Sequence, residues 1–240
     1  FAVVIGTTEG ETILAINNAV PPLDDVRVRR AISHAIDRQA IIDGAMFGYG
    51  TPIGSHFAPH HPAYVDLTGL YPHDPEQAKA LLAEAGVSGL QLSIKLPPPS
   101  YARRGGEIIA AQLKAVGIEA ELIPVEWAQW LEQVFTNKDY QLTIVSHTEP
   151  MDIGIYARDD YYFNYSNPEL KAVMADLAAT VDLAAQNELL GRAQRIIAED
   201  AVNGFLFQLA KHGVWDARVQ GLWHNSPIQA NDLTAVRWTE

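Results

Sequence analysis

The chain contains no cysteine. Disulfides, thiolate nucleophiles and cysteine metal sites are therefore excluded, while the compartment stays open, because proteins of oxidising compartments also fold without disulfides. Basic residues are scarce: 17 Lys and Arg stand against 29 Asp and Glu, a formal net charge of −12. A surface of that sign does not suit nucleic acid or an anionic membrane, which call for clustered Lys and Arg. No apolar run approaches the roughly 20 residues that span a bilayer. The opening FAVVIG has neither the charged region nor the cleavage signature of a secretory signal. Internal repeats and low-complexity tracts are missing, and Gly and Pro punctuate periodic segments. Catalytic signatures are missing too: there is no GxSxG elbow and no HExxH pair. The Gly48, Gly50, Gly54 series contains Pro52 and lacks the GK[ST] ending of a phosphate loop. Carboxylates are plentiful, but linear sequence brings no two of them together for acid–base work.

What is present is a 48% hydrophobic composition over 240 residues, ample for a buried core in one large domain or two small ones. Thr12 to Asn17 reads as a strand, followed by a turn at Pro21 and Pro22 and a helix with Val28, Ala31, Ile32, Ala35 and Ile36 on one face. Asp37 starts a second helix. Asp74 is placed as an N-cap, with Pro75 at the first helical position, Gln77 completing a capping box and Gly86 closing the segment. Leu90, Leu92, Ile94 and Leu96 alternate with polar residues, as do Ile118, Ala120 and Leu122, and Tyr140, Leu142 and Ile144 form a third such run. Helices from about Ala102 to Val116 and from Glu126 to Phe135 separate these three strands, an order that favours an α/β sheet with crossover helices. Two further helices are expected, one from Asn167 with Pro168 at its first position and one from about Asp182 to Asp200. Beyond Asp200, residues 204–208, 213–217 and 235–238 read as short extended pieces.

Four segments, in order, carry a resemblance: PPLDDVRVRRAISHAIDRQAIIDGAMFGYG from Pro21, HDPEQAKALLAEAG from His73, NYSNPELKAVM from Asn164 and AAQNELLGRAQRIIAED from Ala184. Over roughly residues 11–223 the chain resembles the second lobe of the peptide-type, family 5 extracellular solute-binding proteins of bacterial ABC importers. The resemblance implies an α/β lobe of the periplasmic-binding-protein type II kind, a mixed sheet flanked by helices. It divides the chain into a second lobe over 1–210 and a return segment over 211–240 leading toward a first lobe mostly missing here, and it places residues 11–17 near 204–216. It further implies a monomeric periplasmic binding protein without a cofactor or catalytic role, closing on a peptide or peptide-like solute and handing it to a membrane permease. Nickel, opine or sugar ligands are alternatives on the same scaffold. A hydrolase and a permease-docking module without solute are the rivals from other classes.

The expected cleft lies at the exits of the three strands, which should share one edge. SHTEPMDIGIY, from Ser146, stands where the family usually has a Trp-rich, Asp-Pro-Asp-like loop whose acid can pair with a ligand amine. Here the acids are Glu149 and Asp152, and both stay candidates beside the plain alternative of a solvated loop carboxylate. His147 adjoins them, with a satisfied loop histidine as its ordinary role. In PPPSYARR, Tyr101 and Arg103 are candidates for ligand contact, Arg103 as a carboxylate grip; pairing with surface acids is its alternative. Trp127, three residues before Trp130, is a candidate cleft wall or a core residue. His56, His60, His61 and His73 form the one histidine-rich region, but Pro59 and Pro62 argue against a helix that would set metal-ligand spacing, so they are read as loop histidines with no metal.

Overall fold

Strand β1 (Ala2–Ile16) runs through the middle of a six-stranded sheet of order β2-β6-β1-β5-β3-β4 in the computed structural model, which describes residues 1–149 and 151–239. β3 (Leu90–Leu96) pairs in parallel with β4 (Ile118–Pro124) on one side and β5 (Leu142–His147) on the other. β5 lies antiparallel to β1, β1 antiparallel to β6 (Asn203–Trp215), and the short β2 (Gly50–Pro52) antiparallel to β6. The sheet is mixed, as expected.

Helix α4 (Ser100–Ala115) carries the chain outward from β3 to the edge strand β4. The short α5 (Trp127–Trp130) and a wide π turn over Leu131–Thr136 carry it back past β3 to β5. Parallel crossovers are right-handed, so an outward and a returning crossover must cover opposite faces. Ile109 and Leu113 of α4 accordingly join one core, while Trp130 and Val134 join the other. Alternation along β1 feeds both, with Leu14 and Ile16 in the first and Ile13 and Ala15 in the second. Helices α1 (Val26–Ala35), α2 (Arg38–Met46) and α3 (Pro75–Glu84) cover the first face, while α6 (Pro168–Ala179) and α7 (Leu183–Glu199) cover the second.

Local signals held where local hydrogen bonds decide the structure. Asp37 accepts from Ala40 N, Asp74 from Glu76 and Gln77 N, and Asn167 from Glu169 and Leu170 N, each satisfying amides that have no intrahelical partner. Gly86 leaves α3 at φ +72, a left-handed conformation that suits glycine. The expected helix over Glu126 to Phe135 is instead a single α turn and the π turn, capped by a reciprocal Glu126–Gln129 box. β1 starts ten residues before the expected Thr12, and the two extended pieces after Asp200 merge into the single β6, which passes residues 210–211 without a break. Each strand is completed by the other: Ala2 pairs with Trp215 and Ala15 with Asn203. Residues 11–16 thus lie beside 203–208, in line with the expected placement of 11–17 near 204–216. Beyond β6, the two-residue strands β7 (Val219–Gln220) and β8 (Arg237–Trp238) pair with each other. Among the described residues no helix is long and apolar enough to cross a membrane.

Candidate functional site

Because β3, β4 and β5 are mutually parallel, their C-terminal ends share one edge of the sheet. Past β5 the chain reaches Met151, held left-handed at φ 67, and turns into a 3-10 helix over Asp152–Ala157. Past β4 it delivers Trp127 and Trp130, three residues apart on one turn, with their rings 5.7 Å apart. With Phe135, Tyr161 and Tyr162 these residues wall a cavity of about 440 Å³ whose polar lining includes His147, Glu149, Asp152 and Arg158. A shallow hollow of about 590 Å³ beside the edge strand, lined by Gln91, Ser93, Glu119 and Glu121, has no buried ionisable cluster and is not assigned as the site.

Behind the cavity runs a line of charge. Glu11 on β1 and His56, in the loop after β2, are almost wholly buried, at 4% and 1% exposure. His56 Nδ1 lies 2.8 Å from Glu11 Oε2, a close ionic contact whose angle falls outside a hydrogen bond. His56 Nε2 lies 2.7 Å from Asp152 Oδ1. Asp152 Oδ2 in turn stands 3.6 Å from His147 Nδ1, and His147 Nε2 is 2.9 Å from the Tyr162 hydroxyl. The His56 loop is fixed by packing and hydrogen bonds. A Cβ on Gly54 would sit 2.1 Å from the carbonyl carbon of Leu67, so the two backbones can pass only at glycine. Gln194 accepts from the Ser55 hydroxyl at 3.0 Å and from Val65 N at 3.2 Å, and donates to Ala63 O.

Burial by itself would strip the proton from His56, but the pull of Glu11 and the hydrogen bond to Asp152 outweigh it and raise the imidazole to about 9. Burial pushes the Glu11 carboxyl up, only partly offset by His56, to about 7. For Asp152, burial is overcome by the pull of His147 at 3.6 Å and the hydrogen bond with His56, which hold it well below the usual carboxylate range. Near neutrality His56 is thus an imidazolium set between Asp152, which is ionised, and Glu11, which changes its protonation in that range, and Asp152 lines the cavity.

Two trios of donor atoms lie within 4.8 Å of one another: Glu11, His56 and Asp152, and His147, Glu149 and Asp152. The first is closed on itself, since the two ring nitrogens of His56 serve different carboxylates. The second opens to the cavity and suits a cationic group of a ligand.

Of the six residues expected at the cleft, Trp127, His147, Glu149 and Asp152 line the cavity together. Tyr101 lies behind it, packed on the first core with its hydroxyl 3.4 Å from Ser146 N. Arg103 pairs with Glu126 at 3.1 Å on the flank. Both stand outside the cavity lining. Sequence reasoning missed Glu11, His56, Arg158, Tyr161 and Tyr162, and did not place Trp130 at the cleft. His56 was visible as one of the loop histidines, but nothing in HFAPHH marks it as the one set between two acids; His60 instead meets Glu9 at 2.5 Å and His61 stacks on Phe57.

Three parallel strand exits meeting at an acid-lined aromatic cavity, on a mixed sheet covered by helices on both faces, define a lobe of the periplasmic-binding-protein type II class. The chain belongs to the bacterial extracellular solute-binding proteins, family 5, whose middle-region model matches residues 2–171. It is 36% identical over 126 residues to a dipeptide-binding protein of Escherichia coli (strain K12), covering 50% of this chain and 24% of that protein. It is also 27% identical over 240 residues to a probable di/tripeptide-binding protein of Pseudomonas aeruginosa (strain UCBPP-PA14), covering 93% and 45%. A crystal structure of a dipeptide-binding protein from Pseudoalteromonas sp. SM9913 in complex with Met-Leu superposes with a TM-score of 0.86 at 23% identity, covering 99% of this chain and 50% of that one. The chain therefore spans at most about half the length of these relatives.

Proposed function

We propose that the chain is the second lobe of a solute-binding component of an ABC importer, and that the cavity beside Asp152 takes the amino end of a peptide or peptide-like solute. Residues 1–210 would form the lobe and 211–240 the return segment toward a first lobe. Closure of the two lobes would bury the solute, and a membrane permease would receive it on the outer side of the cytoplasmic membrane. The observation that carries this reading is Asp152: a carboxylate kept ionised by histidines at the mouth of an aromatic cavity. An ammonium group is recognised there by charge-assisted hydrogen bonding, and aromatic walls accept varied side chains by area rather than by directional bonds. The relatives named for di- and tripeptides support the ligand class. Binding without turnover agrees with the relatives being binding proteins.

The test is a thermal-shift panel on the intact two-lobed protein, comparing dipeptides, tripeptides, acetylated peptides and free amino acids. A ligand at about 100 times its Kd adds about 2.7 kcal/mol to stability. Unblocked short peptides should raise the melting temperature and acetylated ones should raise it less. A panel in which no peptide shifts the protein would remove the peptide reading, and hydrolysis of the peptides would move it to an enzyme class.

A further inference from the structure

The acid at the cavity is the outer end of a unit whose charge is decided elsewhere. With Glu11, His56 and Asp152 all ionised, the unit carries one net negative charge. With Glu11 protonated, only a His56–Asp152 pair of zero net charge remains, and the imidazolium still holds the inner oxygen of Asp152 at 2.7 Å. Asp152 keeps its own charge in both states, so the difference felt at the cavity comes from Glu11.

The surroundings of Glu11 make that difference reachable. Its facing groups are Glu9 on its own strand, itself engaged by His60; His147, its register partner on β5; Gln208, its register partner on β6; His56 and Asp152; and Tyr156, whose ring lies 5.1 Å from that of His56. None of these is a Lys or Arg. His56 is the cation that supports a charge on Glu11, while burial, Asp152 and Glu9 oppose it. Glu11 Oε2 is also a buried oxygen without an aligned donor, so its charge is weakly held by comparison with a fully hydrogen-bonded carboxylate.

We propose that Glu11, acting through His56, sets the net charge of the Asp152 anchor, so that the site holds a cationic ligand group firmly only while Glu11 is ionised. The proposal rests on the amine-binding reading above and extends it: Glu11 and His56 touch no ligand, and act as positioning residues. Because the Glu11 carboxyl is raised to about 7, the change falls in a range set by the fluid outside the cell. Retention of an ammonium ligand would then strengthen as that fluid becomes neutral and relax as it acidifies.

The experiment compares the intact two-lobed protein with its Glu11→Gln variant, which copies the protonated state and should therefore fold like the natural protein at mildly acid pH. Affinity for a dipeptide and for its N-acetyl form is measured from about pH 5.5 to about pH 7.5, a window in which the peptide amine remains largely charged. The free dipeptide should gain about tenfold in affinity with an inflection near 7, corresponding to one charge-assisted contact. The acetylated form should stay flat, and Glu11→Gln should hold the low value throughout. A gain that survives in Glu11→Gln would place the titration on a group other than Glu11 and overturn the proposal. Two ligand-free readouts separate it from the peptide reading. A protonated-carboxyl infrared band should disappear near pH 7 and be missing from Glu11→Gln, and the His56 ring-nitrogen NMR signals, 2.8 Å from Glu11, should shift with the same inflection only when Glu11 is present. If no peptide binds but both signals behave so, the charge-setting role stands and the ligand class falls; if either signal fails, the proposal falls whatever binds.

Discussion

The two faces of the sheet are built from different materials. The face under α1 to α4 is aliphatic: its buried residues are Leu, Ile, Val, Ala and Met, with Phe207 as the single aromatic. The face under α5 to α7 packs Phe57, Trp130, Tyr140, Tyr156, Tyr162, Phe163 and Phe205 together, with rings of Trp130 and Tyr162 5.7 Å apart. It is also the face beneath which Glu11, His56 and Asp152 are buried. Aliphatic side chains fill space without needing partners, so the first face serves stability. Tyr and Trp bring a polar end that must be satisfied, as Trp130 Nε1 is by Thr143 Oγ1 at 2.9 Å and Tyr140 OH by Tyr162 O at 2.9 Å. The same residues therefore build the core and hand polar groups to its surface, and the cavity lies there.

That contrast can be broken from either side. Trp130→Ala should give the largest effect, about 3–5 kcal/mol of stability by urea unfolding, together with loss of peptide affinity, since it removes a cavity wall and takes one donor from Thr143, whose hydroxyl keeps only its bond to Lys95 O. Ile32→Ala on the aliphatic face should cost about 2–4 kcal/mol while leaving affinity in the folded intact protein unchanged. Equal losses of affinity in the two variants would erase the functional division between the faces.

The aromatic face should also carry a pH signature that the aliphatic one lacks. The folded-state values of Glu11 and His56 are both raised, to about 7 and about 9 from ordinary values of 4.5 and 6.5. A raised group binds its proton more tightly folded than unfolded, so its contribution is complete below the ordinary value and lost as pH climbs through the folded one. Melting temperature should accordingly fall from about pH 4.5 through Glu11 and on to about pH 9 through His56, and His56→Gln should flatten the upper part of that fall. An Ile32→Ala variant should keep it. Arg103→Ala should do least, under about 1 kcal/mol, because its pairing with Glu126 is largely exposed. A drop in peptide affinity there would return Arg103 to the site as the carboxylate grip first expected.

How much of this was legible in the sequence depends on how far apart the partners lie. The Asp37, Asp74 and Asn167 caps and the alternation in β3 and β4 depend on neighbours within a few residues, and they read correctly. β1 and β6 stabilise each other from opposite ends of the chain, so their outer halves looked shorter or broken. Trp127, His147, Glu149 and Asp152 could be grouped in advance because strand exits are local features, and the structure brings the four to one cavity. Glu11 and His56 have no such mark. His56 meets Asp152 across 96 positions of sequence, and an acid heading a strand or a histidine among prolines looks the same whether or not a partner waits. Arg103 was read from a helix start, where a cation is unfavourable; the structure gives it Glu126 as partner.

The most direct test of the acid anchor is Asp152→Asn in the intact two-lobed protein, titrated with one dipeptide and its N-acetyl form. A buried charge-assisted bond contributes about 1.5–3 kcal/mol, so the free dipeptide should lose about tenfold to a hundredfold in affinity while the acetylated form loses little. Equal losses for both peptides would contradict the amine anchor, and no loss for either would move the site away from the Asp152 cavity.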